Sequence, residues 1–116
     1  MKTFNLTSYG HEYNIYFERT AYCYNDALAV MAYCSEPGED FWEPYGVLTV
    51  NISEFSLGPN VAYLDTNNSA ALCELVMSNG WAKQIGEGRS GWCAYPLVEF
   101  TDEFLRDICE CAENDE

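Results

Sequence analysis

Tyr45-Gly46-Val47-Leu48-Thr49-Val50-Asn51-Ile52 is the stretch whose reading decides the fold. β-Branched and aromatic residues dominate it, and such side chains fit a pleated surface better than a helix. With one Gly near its start, it reads as a single strand in the middle of a sheet. An acidic loop, Glu36 to Glu43, leads into it. A second strand and a helix follow it, and the rest of the chain is expected to wrap around it.

Working outward, Lys2 to Thr7 alternates, with Phe4 and Leu6 on one face. His11 to Arg19 alternates again, with Tyr13, Ile15 and Phe17 on one face and Glu12, Asn14, Tyr16 and Glu18 on the other. Two period-two runs around Tyr9-Gly10 predict a β-hairpin. Thr20 to Asn25 reads as an extension or a turn. Asp26 to Cys34 suits a helix on propensity or a buried strand on context. The Ser35-Glu36-Pro37-Gly38 turn and the strand that follows favour strand.

Beyond the central stretch, Ser53 to Asn60 is a connector and Val61 to Asp65 a short strand. Asp65-Thr66-Asn67-Asn68 turns into a helix over about Ser69 to Asn79, with Ala71, Leu72, Leu75 and Val76 as its apolar stripe. Gly80 suits the left-handed residue that ends a helix. Trp81 to Arg89 reads as a connector, as does Gly86-Glu87-Gly88-Arg89-Ser90-Gly91. Gly91 to Phe100 is the last expected strand, and Pro96 makes it an edge strand or a bulged one. Thr101 caps a final helix, with Phe104, Leu105, Ile108 and Ala112 docked on the sheet and Asp107, Glu110 and Glu113 outside.

The 116 residues suggest one domain, and 48% hydrophobic and 16% aromatic residues supply a core. Nineteen acidic residues against five basic ones give a formal charge of −14. That balance repels nucleic acid and anionic membranes and attracts basic protein surfaces. It also serves simple solubility. No signal peptide or membrane span is evident, so a cytoplasmic setting is expected. The six Cys then read as reduced thiols, with disulfides as the alternative.

Most chemistries lack a pattern. No C-x-x-C occurs, and only one His exists, so neither a metal nor a cofactor is expected. Cys109 and Cys111, two apart on a helix, would point away from each other. A Cys–His hydrolase would need His11, beside a hairpin turn, which is a poor place for a pre-organised base. The chain therefore reads as a non-enzyme.

Two carboxylate clusters remain. Glu36, Glu39, Asp40 and Glu43 surround Phe41-Trp42, a pair that either anchors a partner or folds back onto the core. Asp102, Glu103, Asp107, Glu110, Glu113, Asp115 and Glu116 form the second cluster. Helix neighbours three or four apart lie roughly 5–6 Å from each other, close to the scale of phosphate spacing along a strand.

Tyr45 to Ile52, Asp65-Thr66-Asn67-Asn68 and Ser90-Gly91-Trp92-Cys93-Ala94-Tyr95-Pro96-Leu97-Val98-Glu99-Phe100 together resemble domain-of-unknown-function family 4313. Its members are short acidic proteins of bacterial plasmids and conjugative elements. The resemblance covers most of the chain up to Phe100 and brings no catalytic residue. It implies a setting in which small accessory proteins disarm host defences, as anti-CRISPR and antirestriction proteins do, often by acidic mimicry of nucleic acid.

The combined expectation is an α+β fold: a mainly antiparallel sheet of five or six strands with two helices, one domain over residues 1–113 and a frayed acidic tail over 114–116. The expected function is inhibition of a basic, nucleic-acid-targeting defence protein, such as a CRISPR effector nuclease. Glu36, Glu39, Asp40, Phe41, Trp42, Glu43, Asp107 and Glu110 are the expected contacts. The alternative is a small accessory interaction protein of a mobile element whose acidity serves solubility only.

Overall fold

A computed structural model describes residues 2–22, 25, 27–52 and 57–110, with the backbone alone at 109 and 110. The fold is α+β. The strands divide between two sheets, where the sequence suggested one.

In the first sheet, β1 (Phe4–Ser8), β2 (His11–Ala21), β3 (Leu28–Ser35) and β4 (Glu43–Val47) follow one another in antiparallel order. The β1–β2 hairpin closes on Ser8 paired with His11, with Tyr9 at φ 52° and Gly10 at φ 79°. Ile15 and Phe17 are fully buried, as their alternation predicts. The ambiguous 26–34 segment does form a strand, and Leu28, Val30, Ala32 and Cys34 point into the core.

The second sheet has the order β5 (Thr49–Val50), β6 (Val61–Leu64), β8 (Cys93–Phe100), β7 (Ala82–Ser90). Helix α1 (Ala70–Ser78) buries Leu72, Cys73 and Val76. It ends at Gly80, with φ 72°. Helix α2 (Asp102–Asp107) follows β8, and β9 (Cys109–Glu110) runs parallel to β2 beside Glu18 and Arg19. β1 pairs with β2 only as far as Ile15, so β9 takes up the same side of β2 further along.

The 45–52 stretch is not one strand in mid-sheet. It is the end of β4 and all of β5, each an edge strand, with the chain crossing between sheets at Leu48. The Leu48 N–H donates to the Val30 carbonyl at 2.8 Å in the first sheet. Its carbonyl accepts from the Asp65 N–H, just past β6, at 2.9 Å. Both backbone groups of this fully buried residue are thus satisfied, one on each side. The Thr49 hydroxyl accepts from the Val30 N–H at 3.1 Å and lies 2.9 Å from the Tyr22 hydroxyl, so a side chain takes the place of a ladder bond.

Three other expectations change. Residues 81–89 are no connector: β7 is a nine-residue strand, charged and mostly exposed, as suits a sheet edge. β8 is internal to its sheet, not an edge. Its ladder to β6 stops at Leu97, one residue short of Pro96, and the bulge lies in β7 between Gln84 and Gly86. The C-terminal helix stops after six residues, because Ile108 turns extended (φ −97°, ψ 158°) and is buried. Glu110, expected on the outer face of that helix, therefore lies on β9 instead. Ala112, Glu113 and the 114–116 tail lie outside the described residues.

One apolar cluster joins the sheets. Phe104 of α2 stands at its centre, 5.4 Å from both Phe17 of the first sheet and Phe100 of the second, and stacked on Trp81 at 5.5 Å. Burying such a side chain contributes about 2–3 kcal/mol, more than α2 could gain from its own six residues.

Candidate partner-binding surface

The acidic loop is built at the C-terminal end of β3. Pro37-Gly38 reverses the chain, and the Glu39 N–H donates to the Glu36 carbonyl at 3.0 Å. The buried Ser35 hydroxyl donates towards the Glu36 and Glu39 carbonyls, both at 3.3 Å, and fastens the turn from beneath. Glu36, Glu39, Asp40 and Glu43 are all exposed. Burial pushes the Cys34 thiol up from its ordinary value, and Glu43, Glu36 and Glu39 push it further. Glu43 is the register partner of Cys34, and Glu36 and Glu39 follow β3 directly, so these carboxylates belong to one end of β3.

Phe41 and Trp42 part company. Phe41 is 60% exposed. Trp42 folds back, yet onto the outer face of the first sheet and not into the core. It meets Tyr16 edge-on at 5.0 Å, and Tyr16 stacks on Tyr33 at 5.0 Å. The Tyr33 hydroxyl donates to Glu18 Oε1 at 3.1 Å. Tyr16 and Tyr33 are register partners in β2 and β3, so cross-strand pairing makes this aromatic row. Sequence reading placed Tyr16 on the polar face but missed both tyrosines as surface-builders. An aromatic on the polar side of an alternating run was the available signal.

Asp107 and Glu110 of the second carboxylate cluster do not join the first. Asp107 is half-buried and accepts from Lys2 Nζ at 3.1 Å. Glu110 lies on β9, paired with Arg19 of β2. The loop, by contrast, sits where Asn14 pairs with Ser35. Arg19 lies five positions beyond Asn14 along β2, roughly 16 Å at a strand's ~3.3 Å per residue. Among the described residues, no Lys or Arg pairs with Glu36, Glu39, Asp40 or Glu43. No Lys or Arg occurs anywhere from Thr20 to Ala82.

His11 is exposed at the start of β2, 6.4 Å from the Tyr13 ring. Cys34 and Cys73 are buried free thiols and Cys93 is half-exposed. Among the described residues, no three His, Cys, Asp or Glu side chains gather closely enough to hold a metal ion.

The Domain of unknown function (DUF4313) family matches residues 16–114, from the middle of β2 past β9. The chain belongs to the DUF4313 family. The match extends beyond Phe100, where the sequence resemblance stopped, and leaves out β1 and the first half of β2. No curated protein and no solved structure matches this DUF4313 chain. No helix among its described residues is long and apolar enough to cross a membrane.

Proposed function

We propose that this DUF4313 protein is a non-catalytic, cytoplasmic inhibitor that binds a basic, nucleic-acid-targeting defence protein, a CRISPR effector or restriction nuclease. The acidic loop stands in for the phosphates of nucleic acid, and Phe41 with the Trp42–Tyr16–Tyr33 row supplies the apolar anchor. One observation carries this reading: the four loop carboxylates are exposed and unpaired among the described residues, on a segment without a basic residue. Carboxylates paired within the chain would have little charge left to offer a partner. The contact set is narrower than the sequence suggested. Asp107 is held by Lys2 and drops out, and Glu110 belongs to a different end of the sheet.

The alternative, an accessory protein whose charge serves solubility, gains from the loss of Asp107 and Glu110 as contacts. Competition separates the two. The protein should displace labelled DNA from a basic nuclease at low salt and lose that ability steeply as salt rises. Reversing Glu36, Glu39, Asp40 and Glu43 to Lys together should abolish displacement. Reversing Glu87 and Glu99, which lie on β7 and β8, should not. Equal loss in both variants, or displacement that survives the loop reversal, rules out the mimic.

A further inference from the structure

The outer edge of β1 is open, and the hairpin fixes which backbone groups it offers. In a two-residue hairpin, the residues that close the turn exchange hydrogen bonds, and pairing then alternates along the ladder. Ser8 and His11 close this turn, so Leu6 with Tyr13 and Phe4 with Ile15 are the bonded pairs. The N–H and C=O of Asn5 and Thr7 consequently point away from β2. Among the described residues nothing pairs with them.

Helix α1 runs beside this edge without covering it. A cavity of about 260 Å³ lies between Asn5–Thr7 and the Leu75–Ser78 end of the helix. A second, of about 240 Å³, lies between Ser8-Tyr9 and the helix start. Ala71 lines both, and the two cavities follow one another along the strand from Asn5 to Tyr9 as a groove interrupted at Ala71. Half-buried Ala71 and Leu75 give the groove an apolar wall. Exposed Glu74 adds a negative charge, and no Lys or Arg lines either cavity.

We propose that this groove binds an extended basic segment of a partner protein, added to the first sheet as a strand next to β1. Main-chain bonds to Asn5 and Thr7 hold the segment, and its alternate side chains meet the apolar wall and Glu74. Five residues of edge, roughly 16 Å, take a segment of about five residues. Charge selects the occupant: a second copy of the chain would set −14 against −14, whereas Lys or Arg beside Glu74 gains. The proposal goes beyond the acidic-loop reading and does not depend on it.

The test uses a capped heptapeptide with Val and Lys in turn at its odd positions and Thr at its even ones, so that one face carries both, titrated into the full chain at low salt and followed by amide NMR and hydrogen exchange. The Asn5 and Thr7 amides should exchange fast in the free protein, while that of Leu6 is protected. Peptide should shift and protect those two amides. N-methylation of alternate peptide residues keeps the charge but removes strand bonds, and should weaken binding at least tenfold. Thr7→Pro costs no bond to β2 and should abolish binding in a folded protein. Glu74→Lys should weaken binding several-fold if Thr7→Pro does not fold. The loop-reversed variant should still bind, which separates this proposal from the previous one. Absence of binding, indifference to N-methylation, shifts confined to residues 36–43, or self-association of the free chain through β1 would each overturn it.

Discussion

The Ser69 hydroxyl donates to the Val47 carbonyl at 2.6 Å, fixing the start of α1 to the last residue of β4. Ser69 occupies the N-cap position of α1, yet its side chain makes no capping bond. Ser69 is buried, so Ser69→Ala leaves the Val47 carbonyl short of a partner. Chemical denaturation should show a loss of about 1–2 kcal/mol, and a helix-capping role alone would not restore it with Asp at that site.

Thr49 is the second fastening. Thr49→Val keeps the shape but removes the acceptor of the Val30 N–H, a buried group. The expected cost is about 1–3 kcal/mol. In amide exchange, Val30 should lose protection well before its neighbours on β3.

Gly88 lies against Tyr63. A Cβ at Gly88 would sit 2.5 Å from Tyr63 Cε1, so Gly88→Ala must swing the ring aside. The single substitution should destabilise by about 1–2 kcal/mol. Made on top of Tyr63→Ala, it should be neutral or stabilising, because the gain from a stiffer unfolded chain then stands alone. A double-mutant cycle reads this change of sign.

Cys73 sets an alkaline limit. Burial, with Asp65 nearby, pushes its thiol up to about 12 from 9.0. The unfolded chain gives up this proton where the folded one keeps it, so stability falls as pH rises from about 9 toward about 12. Urea midpoints measured between pH 8 and 11 should decline, and decline less steeply in Cys73→Ala. Burial raises the Tyr22 hydroxyl too, which adds to the same trend.

What the sequence reveals here is local. The Tyr9-Gly10 hairpin, the 28–35 strand and the helix ending at Gly80 rest on periodicity and turn chemistry that neighbouring residues carry themselves. The crossing at Leu48 does not, since an unbroken β pattern cannot say that its halves pair with different strands. β7 hides because Lys83, Gln84, Glu87 and Arg89 are what an exposed edge strand displays and also what a loop displays. The end of α2 misleads, for Asp107 and Glu110 have helical spacing until Ile108 is needed in the core. The acidic loop is legible because it is contiguous. Its aromatic support is not, because the Tyr16–Tyr33 register is set only when β2 meets β3. Lys2 and Asp107 are 105 positions apart, so no local pattern predicts their pairing.

With both backbone groups of Leu48 already engaged on opposite sides, this part of the chain has no slack. An inserted or deleted residue between Tyr45 and Val50 would throw two ladders out of step at once. Residues 36–42 can lengthen, shorten or change sign while both ladders stay in step. The proposed partner surface is thus free to diversify, and the crossover that carries it must keep its length.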